Sequence, residues 1–289
     1  MIYRKNSHEA QPWFAWTLVW LGNLYREQGN YEKAKQLLEE SLVIYKKNSY
    51  ENHPWFARAL VGLGSVYKEQ GNYEKAKQLF EESLMVYKKN SYENHPWFAR
   101  TLEHLGSIYK EMGNYEKAKQ SLEESLMIYR WNHFENHPWF ALVLAGLGSV
   151  YREQGNYEKA KDLLERSFQT YEKTYGKDHI DVAPVIMNLG QVYMLENDIK
   201  TAENLIKKAL RIFQIKKYAE SYVCLEILSD LYLKETFEHI NKEDMQQSEI
   251  FKKQSVDYLK QALEVIQAHF PEDSPHFIRI KAKLNKLTL

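Results

Sequence analysis

The stretch PWFARALVGLGSVYKEQGNYEKAKQLFEESLMVYKKNSYENH, which runs from Pro54 to His95, decides the fold of this chain. Close copies of it begin at Pro12, Pro96 and Pro138, each 42 residues after the one before. Self-similarity at a fixed period of this size is typical of stacked structural repeats, in which each unit buries its apolar face against its neighbours. The sequence therefore predicts an array of repeats rather than one globular core.

Each copy contains two helical patterns joined by a short turn. Asn52 or His53 can cap the first helix ahead of Pro54, Gly71 can end it in the left-handed conformation, and Asn72 can cap the second. Because the turn is only a few residues long, the two helices are predicted to be antiparallel neighbours. The apolar positions at helical spacing are Phe56, Leu60, Leu63 and Tyr67 in the first helix, and Tyr73, Ala76, Leu79, Phe80, Leu84 and Tyr87 in the second.

The unit resembles the tetratricopeptide repeat (TPR). The resemblance is carried by Leu60, Leu63, Gly64, Tyr67, Ala76, Phe80 and Ser83. The 42-residue form with Asn-His-Pro at its start is similar to the repeats of kinesin light chains and of many bacterial TPR proteins. Two features depart from the family: Leu60 replaces its Trp, and about eight extra residues replace its closing Pro. The resemblance implies an all-α, right-handed α-solenoid superhelix of stacked antiparallel helix pairs.

Later repeats diverge from this unit. Asn197 takes the helix-ending position that Gly155 holds, and a charged insertion near 234–254 predicts a lengthened helix pair with a solvated loop. Residues 1–4 repeat residues 127–130, so either the chain is a piece of a longer protein, which we expect, or translation began inside an ancestral repeat; we expect a natural C-terminus. The predicted segments are 1–11 (remnant of a preceding repeat helix), 12–53, 54–95, 96–137, 138–179, 180–219 and 220–270 (repeats one to six), and 271–289 (C-terminal capping helix).

The composition argues against several classes of function. Acidic and basic residues balance at 39 each, which does not favour a nucleic-acid or acidic-membrane surface. Cys224 is the only cysteine, so no intrachain disulfide can form, and we expect it to be a small buried hydrophobe in a cytoplasmic protein. No apolar run is long enough for a membrane span. No phosphate loop, nucleophile elbow or carboxylate pair is present, so we predict no enzyme, no cofactor and no metal site.

The family resemblance assigns a peptide-binding groove to the concave face, which the first helices line. Repeats one to three place cationic and polar side chains there, whereas repeats four and five turn apolar. Such a surface suits an extended or helical peptide with acidic groups at one end and apolar anchors at the other. The alternative is an ordinary solvated face whose ion pairs contribute little. The assigned residues are Trp16, Asn23, Arg26, Arg58, Ser65, Lys68, Arg100, Glu103, Ser107, Lys110, Ser149, Arg152, Met187 and Gln191.

Two ladders of repeated residues have competing interpretations. Trp20 and Trp131, which break the repeat rule, are better contact candidates than the regular tryptophans if they are exposed, and we expect Trp131 in a loop. A histidine precedes each first helix, and we predict capping rather than metal binding because stacked repeats would hold these residues about 10 Å apart. The regular tryptophans, predicted to pack between successive first helices rather than to contact a ligand, are Trp13, Trp55, Trp97 and Trp139; the histidines are His53, His95, His137 and His179.

The favoured hypothesis is a scaffold that binds a peptide segment of a partner protein, with no nucleic acid and no membrane insertion. A second hypothesis is a sensor or regulatory arm of a larger protein, such as a signalling ATPase or an effector. A third is a self-associating structural array that pairs through an open N-terminal edge. The sequence alone leaves the partner unidentified.

Overall fold

The computed structural model describes residues 11–288, and these residues form thirteen α-helices and no strand. They divide after Gln154 into two compact units, which are described separately. The first unit contains α1 (Pro12–Glu27), α2 (Tyr31–Lys47), α3 (Pro54–Glu69), α4 (Tyr73–Lys89), α5 (Pro96–Glu111), α6 (Tyr115–Trp131) and α7 (Pro138–Glu153). The second contains α8 (Tyr157–Tyr175), α9 (Val182–Leu195), α10 (Ile199–Ile215), α11 (Ser221–Asn241), α12 (Met245–His269) and α13 (Pro275–Thr288).

Within each unit consecutive helices pack as antiparallel pairs (α1 with α2, α3 with α4, α5 with α6, α9 with α10, and α11 with α12), so the predicted all-α solenoid class is confirmed. In the first unit the second helix of each pair also packs against the first helix of the next pair. The predicted remnant of an earlier repeat helix lies outside the described residues, apart from Gln11. No helix in the described part of the chain is long and apolar enough to cross a lipid bilayer.

The turn inside each helix pair is set by one residue in the left-handed region. Gly71 has a φ of +76° after α3, a conformation that costs glycine nothing because it has no Cβ. Asn197 has a φ of +67° after α9, as predicted, and asparagine tolerates this region better than most residues. Asn72 then accepts a hydrogen bond from the Lys75 backbone N–H at 3.3 Å and so caps α4.

The histidine ladder caps helices, as predicted, in three of its four positions. His53, His95 and His137 each precede a helix, and the Nδ1 of each accepts a hydrogen bond from the backbone N–H two residues later, at 3.2, 3.1 and 3.1 Å. The fourth, His179, accepts the same kind of hydrogen bond, from the Asp181 N–H at 3.3 Å, but it is not the N-cap of α9, since the helix begins later, at Val182, with Asp181 as its N-cap.

The two helices of a pair cross at a glycine, which has no side chain. A Cβ added to Gly64 in α3 would lie 2.7 Å from Cε1 of Phe80 in α4, which is closer than side chains approach. Phe80 and Ala76 are fully buried at this crossing. Ser83 adds a direct link, since its hydroxyl donates to the Ala57 carbonyl at 3.1 Å. The small residues of the repeat therefore set the distance between its helices.

In the second unit the inserted segment 234–254 extends α11 and α12, which are joined by a turn at 242–244. The C-terminal helix α13 is held against α11 by ion pairs: Arg279 lies 2.8 Å from Glu226, and Lys283 lies 2.7 Å from the same carboxylate. Cys224 is buried in α11, as expected, and burial raises the pKa of its thiol to about 12.

Candidate functional site

The first unit contains a cavity of about 480 Å³ between its first helices. Helices α1, α3, α5 and α7 line it, and Tyr87 of α4 contributes one wall residue. A volume of this size is typical of ligand-binding pockets. Eight of the fourteen residues assigned to the groove line this one cavity: Asn23, Arg26, Arg58, Ser65, Lys68, Arg100, Glu103 and Ser107.

The other six assigned residues do not line this cavity. Trp16 packs its ring 5.6 Å from that of Trp20 on the same helix. Lys110 and Arg152 pair with the glutamate that follows each of them, at 3.0 and 2.5 Å. Ser149 is buried. The remaining two, Met187 and Gln191, are half-buried on α9 of the second unit.

Cations outnumber carboxylates around the cavity by four to two. Arg26 forms an ion pair with Glu69 across α1 and α3, and Arg100 lies 3.0 Å from Glu103 on α5. Within residues 11–288 no carboxylate lies within 4.0 Å of the charged groups of the other two cations, Arg58 and Lys68. The cavity therefore has an excess of positive charge that an acidic ligand would neutralise.

Tryptophans lie over two of the four cations around the cavity, Arg58 and Arg100. The Arg58 guanidinium lies 4.4 Å from the ring centre of Trp97 and 5.6 Å from that of Trp20, and Arg100 lies 5.9 Å from Trp139. These are cation–π distances, which orient the guanidinium groups. Trp97 and Trp139 thus pack against the preceding first helix, and both also line the cavity. Trp55 has its ring 4.9 Å from that of Trp13, which is 64% exposed, so whether the ladder packs or contacts a ligand stays a prediction.

The two irregular tryptophans are both exposed. Trp20 is 54% exposed at the edge of the first unit. Trp131 is 76% exposed, but the expectation that it lies in a loop is wrong, because it is the last residue of α6. Helix α6 continues past Arg130 to Trp131, and the next residue, Asn132, is its C-cap.

Repeat three contributes polar residues to the cavity, and only some of them were among the residues assigned to the groove from the sequence. Thr101 and His104 line the cavity beside Glu103, although repeat two has alanine and glycine at the equivalent positions 59 and 62. The His104 ring stacks on Phe80 with centroids 5.3 Å apart, and its Nδ1 lies 3.8 Å from the Glu103 carboxylate. The signal in the sequence was the departure of repeat three from its near-identical neighbours.

His104 is neutral in this setting. Burial lowers the pKa of His104 well below its usual value, and the nearby positive charges of Arg100, Lys68 and Arg26 lower it further. The side chain is only 14% exposed, so water screens these charges little. Near neutral pH, His104 therefore offers one nitrogen that donates a hydrogen bond and one that accepts.

Four buried polar atoms around the cavity have no hydrogen-bond partner. They are Nε of Arg26, Nη1 of Arg100, Oε2 of Glu103 and Nδ1 of His104. The 3.0 Å contact between Arg100 and Glu103 is an ion pair whose geometry is not that of a hydrogen bond. Unpaired buried polar groups cost about 1–3 kcal/mol each, and in the described part of the chain the other such side-chain atoms are the hydroxyls of Tyr45, Tyr67 and Tyr129.

Comparisons with known proteins agree with this architecture. A sequence model described as tetratricopeptide repeat matches residues 13–89 and 139–215, which is more than half of the chain, and a second model of the same description matches residues 99–130. No curated protein matches the chain as a sequence relative.

Solved structures with the same fold include a Podospora anserina protein described as a kinesin light chain with nearly identical TPR-like repeats. It is 22% identical, with a TM-score of 0.56, over 73% of this chain and 98% of that one. BtubC (BKLC) from P. vanneervenii is 18% identical, with a TM-score of 0.56, over 87% of this chain and 95% of that one. RapI in its apo form is 17% identical, with a TM-score of 0.59, over 90% and 86%. At these identities the likeness shows the fold alone.

Proposed function

Because the chain belongs to the tetratricopeptide repeat family, whose fold is in general that of protein-interaction scaffolds, we propose that the cavity of its first unit binds a peptide segment of a partner protein. The observation that carries the proposal is the pair of cations, Arg58 and Lys68, that face the cavity without a carboxylate partner. The ligand is a segment with acidic side chains and apolar anchors. The role is one of binding, with no catalytic step.

The walls of the cavity are suited to binding without rearrangement. Their residues lie on helices that pack in register through the repeat, so little conformational entropy is lost on the receptor side. The Arg58 side chain is already held between Trp20 and Trp97, which reduces the entropy that an ion pair with a peptide carboxylate would otherwise cost. The exposed faces of the same tryptophans can contact apolar side chains of the ligand.

The proposal is tested by selecting binders from a displayed library of random 12-residue peptides. The selected peptides are expected to be rich in Asp and Glu, and their affinities are measured by fluorescence anisotropy. The double variant Arg58→Glu, Lys68→Glu should weaken binding by about 100-fold or more, since hydrogen bonds to charged groups contribute about 1.5–3 kcal/mol each.

A matched control makes the same change in net charge away from the cavity. Lys47 and Lys89 are exposed at the ends of α2 and α4, so the variant Lys47→Glu, Lys89→Glu should bind the selected peptides with nearly unchanged affinity. Circular dichroism confirms that both variants keep their helices. A selection that returns no binder, or equal losses in the two variants, would refute the assignment of the cavity as a peptide site.

One observation favours a second candidate, self-association through α1. Its outer face exposes Trp20 at 54%, Leu21 at 38% and Leu24 at 50%. Apolar side chains grouped in this way are typical of interaction surfaces. Light scattering over a range of concentrations should then show dimers that Leu24→Glu removes; a monomer at every concentration would dismiss the idea. The hypothesis that the chain is a sensor or regulatory arm of a larger protein stays a prediction. The cytoplasmic location also stays a prediction; it is favoured by the presence of a single, buried cysteine.

A further inference from the structure

We propose that the cavity contains a subsite for a carboxamide side chain, Asn or Gln, of the bound peptide. The subsite consists of the four cavity-lining residues that have a buried polar atom without a hydrogen-bond partner: Arg26, Arg100, Glu103 and His104. The inference rests on the proposed peptide-binding function and narrows it to a particular ligand chemistry.

The repeats themselves show that the fold does not require this polar group. Residues 60–64 read LVGLG, and the equivalent residues 102–106 read LEHLG. Repeat two packs with Val61 and Gly62 at these positions, so a repeat of this design is stable without Glu103 and His104. Glu103 gains an ion pair with Arg100 and His104 stacks on Phe80, yet each side chain keeps a buried polar atom without a hydrogen-bond partner, which costs free energy. A binding role accounts for that cost.

Hydrogen-bond complementarity selects the ligand group. The unpaired atoms combine donors, on Arg26 and Arg100, with an acceptor on Glu103, and His104 can act as either. A carboxamide has an acceptor oxygen and two donor hydrogens in one plane, so it can satisfy both kinds. A carboxylate would leave the Glu103 oxygen unpaired and repelled, and an ammonium group would face two cations, Arg26 and Arg100.

The charges around the subsite agree with a neutral ligand group. His104 is neutral, and the Arg100 charge is balanced by Glu103 as that of Arg26 is by Glu69. The unpaired cations Arg58 and Lys68 remain for the acidic residues of the same peptide. The expected ligand therefore carries one Asn or Gln among Asp and Glu residues.

The first test uses the peptides selected against the wild-type protein. Replacing their Gln or Asn by Glu or Asp should weaken binding about tenfold or more, because the Glu103 oxygen loses its donor. The variant Glu103→Val, His104→Gly gives repeat three the residues of repeat two at both positions, so it is expected to fold, and it should bind both forms of the peptide within about twofold of each other. Selected peptides without an enriched Asn or Gln would overturn the subsite while leaving the proposed function standing.

The variant Glu103→Gln reverses the hydrogen bonding without changing the shape. Its amide can donate where Glu103 only accepts, so the Glu form of the peptide should bind this variant at least as tightly as the Gln form. A preference for Gln that persists in Glu103→Gln would also overturn the subsite.

An independent arm does not need a peptide that binds. The imidazole nitrogens of His104 are followed by NMR in the full chain as N-acetylglutamine N-methylamide is added, with the glutamate analogue as control. A shift at His104 with the glutamine probe alone supports the subsite even if the selection fails. No shift with either probe, together with a failed selection, would mean that the unpaired atoms bind ordered water only and that the inference is wrong.

Discussion

Substitution of Gly64 by alanine tests how tightly the repeat sets the spacing of its helices. The added methyl group would lie 2.7 Å from Cε1, 3.0 Å from Cδ1 and 3.1 Å from Cζ of Phe80, a ring with no exposed surface. The ring or the helix must shift, and overpacking of this kind costs about 1–3 kcal/mol. Alanine recovers about 0.5–1 kcal/mol over glycine in a helix, so we expect a net destabilisation of about 0.5–2 kcal/mol.

A second glycine of the first unit provides the matched control. Alanine at Gly146 would place its methyl 3.4 and 3.5 Å from the Leu122 side chain, which is ordinary van der Waals contact. Gly146→Ala should therefore stabilise the protein by about 0.5–1 kcal/mol. Urea titrations followed by circular dichroism at 222 nm should show the midpoints of the two variants moving in opposite directions. If Gly64→Ala unfolds at the wild-type midpoint or above it, the crossing is not limited by this contact.

Three further predictions concern capping, titration and thiol chemistry. His95→Ala should lower the free energy of unfolding by about 1 kcal/mol in the same urea titration, because the Trp97 N–H loses its acceptor, and His95→Asn should retain most of the stability. The pKa of His104 is lowered in the folded state, so as the pH falls below about 6.5 the unfolded state takes up this proton first and is favoured. Between pH 7.5 and 5.5 the free energy of unfolding of the wild type should therefore fall by about 1 kcal/mol more than that of His104→Gly. Equal decreases in the two proteins would contradict a buried neutral His104. Cys224 should react with a thiol reagent only after unfolding; rapid reaction of the native protein would show that it is accessible.

The repeat pattern groups residues of the cavity where equivalent positions in successive repeats have similar surroundings. Positions 58 and 100 occupy the same place in successive repeats, and both arginines line the cavity. Lys110 holds the position of Lys68 one repeat later, yet it pairs with its neighbour Glu111 and lies outside the lining. The reason is that equivalent positions in a finite array have different neighbours, and a periodic pattern does not record them.

The sequence by itself determined the helices, their pairing and most of their ends, but not the end of α6 at Trp131 or the start of α9 after Asp181. The features that it determined depend on contacts between residues close in the chain: the histidine caps, the left-handed residue after each first helix, and the missing side chain at Gly64. Only the tertiary structure decided how charges from different repeats combine. The pairing of Arg26 with Glu69, the arginine held between two tryptophans and the unpaired atoms around His104 each depend on distances between helices, which arise from side-chain packing along the whole unit.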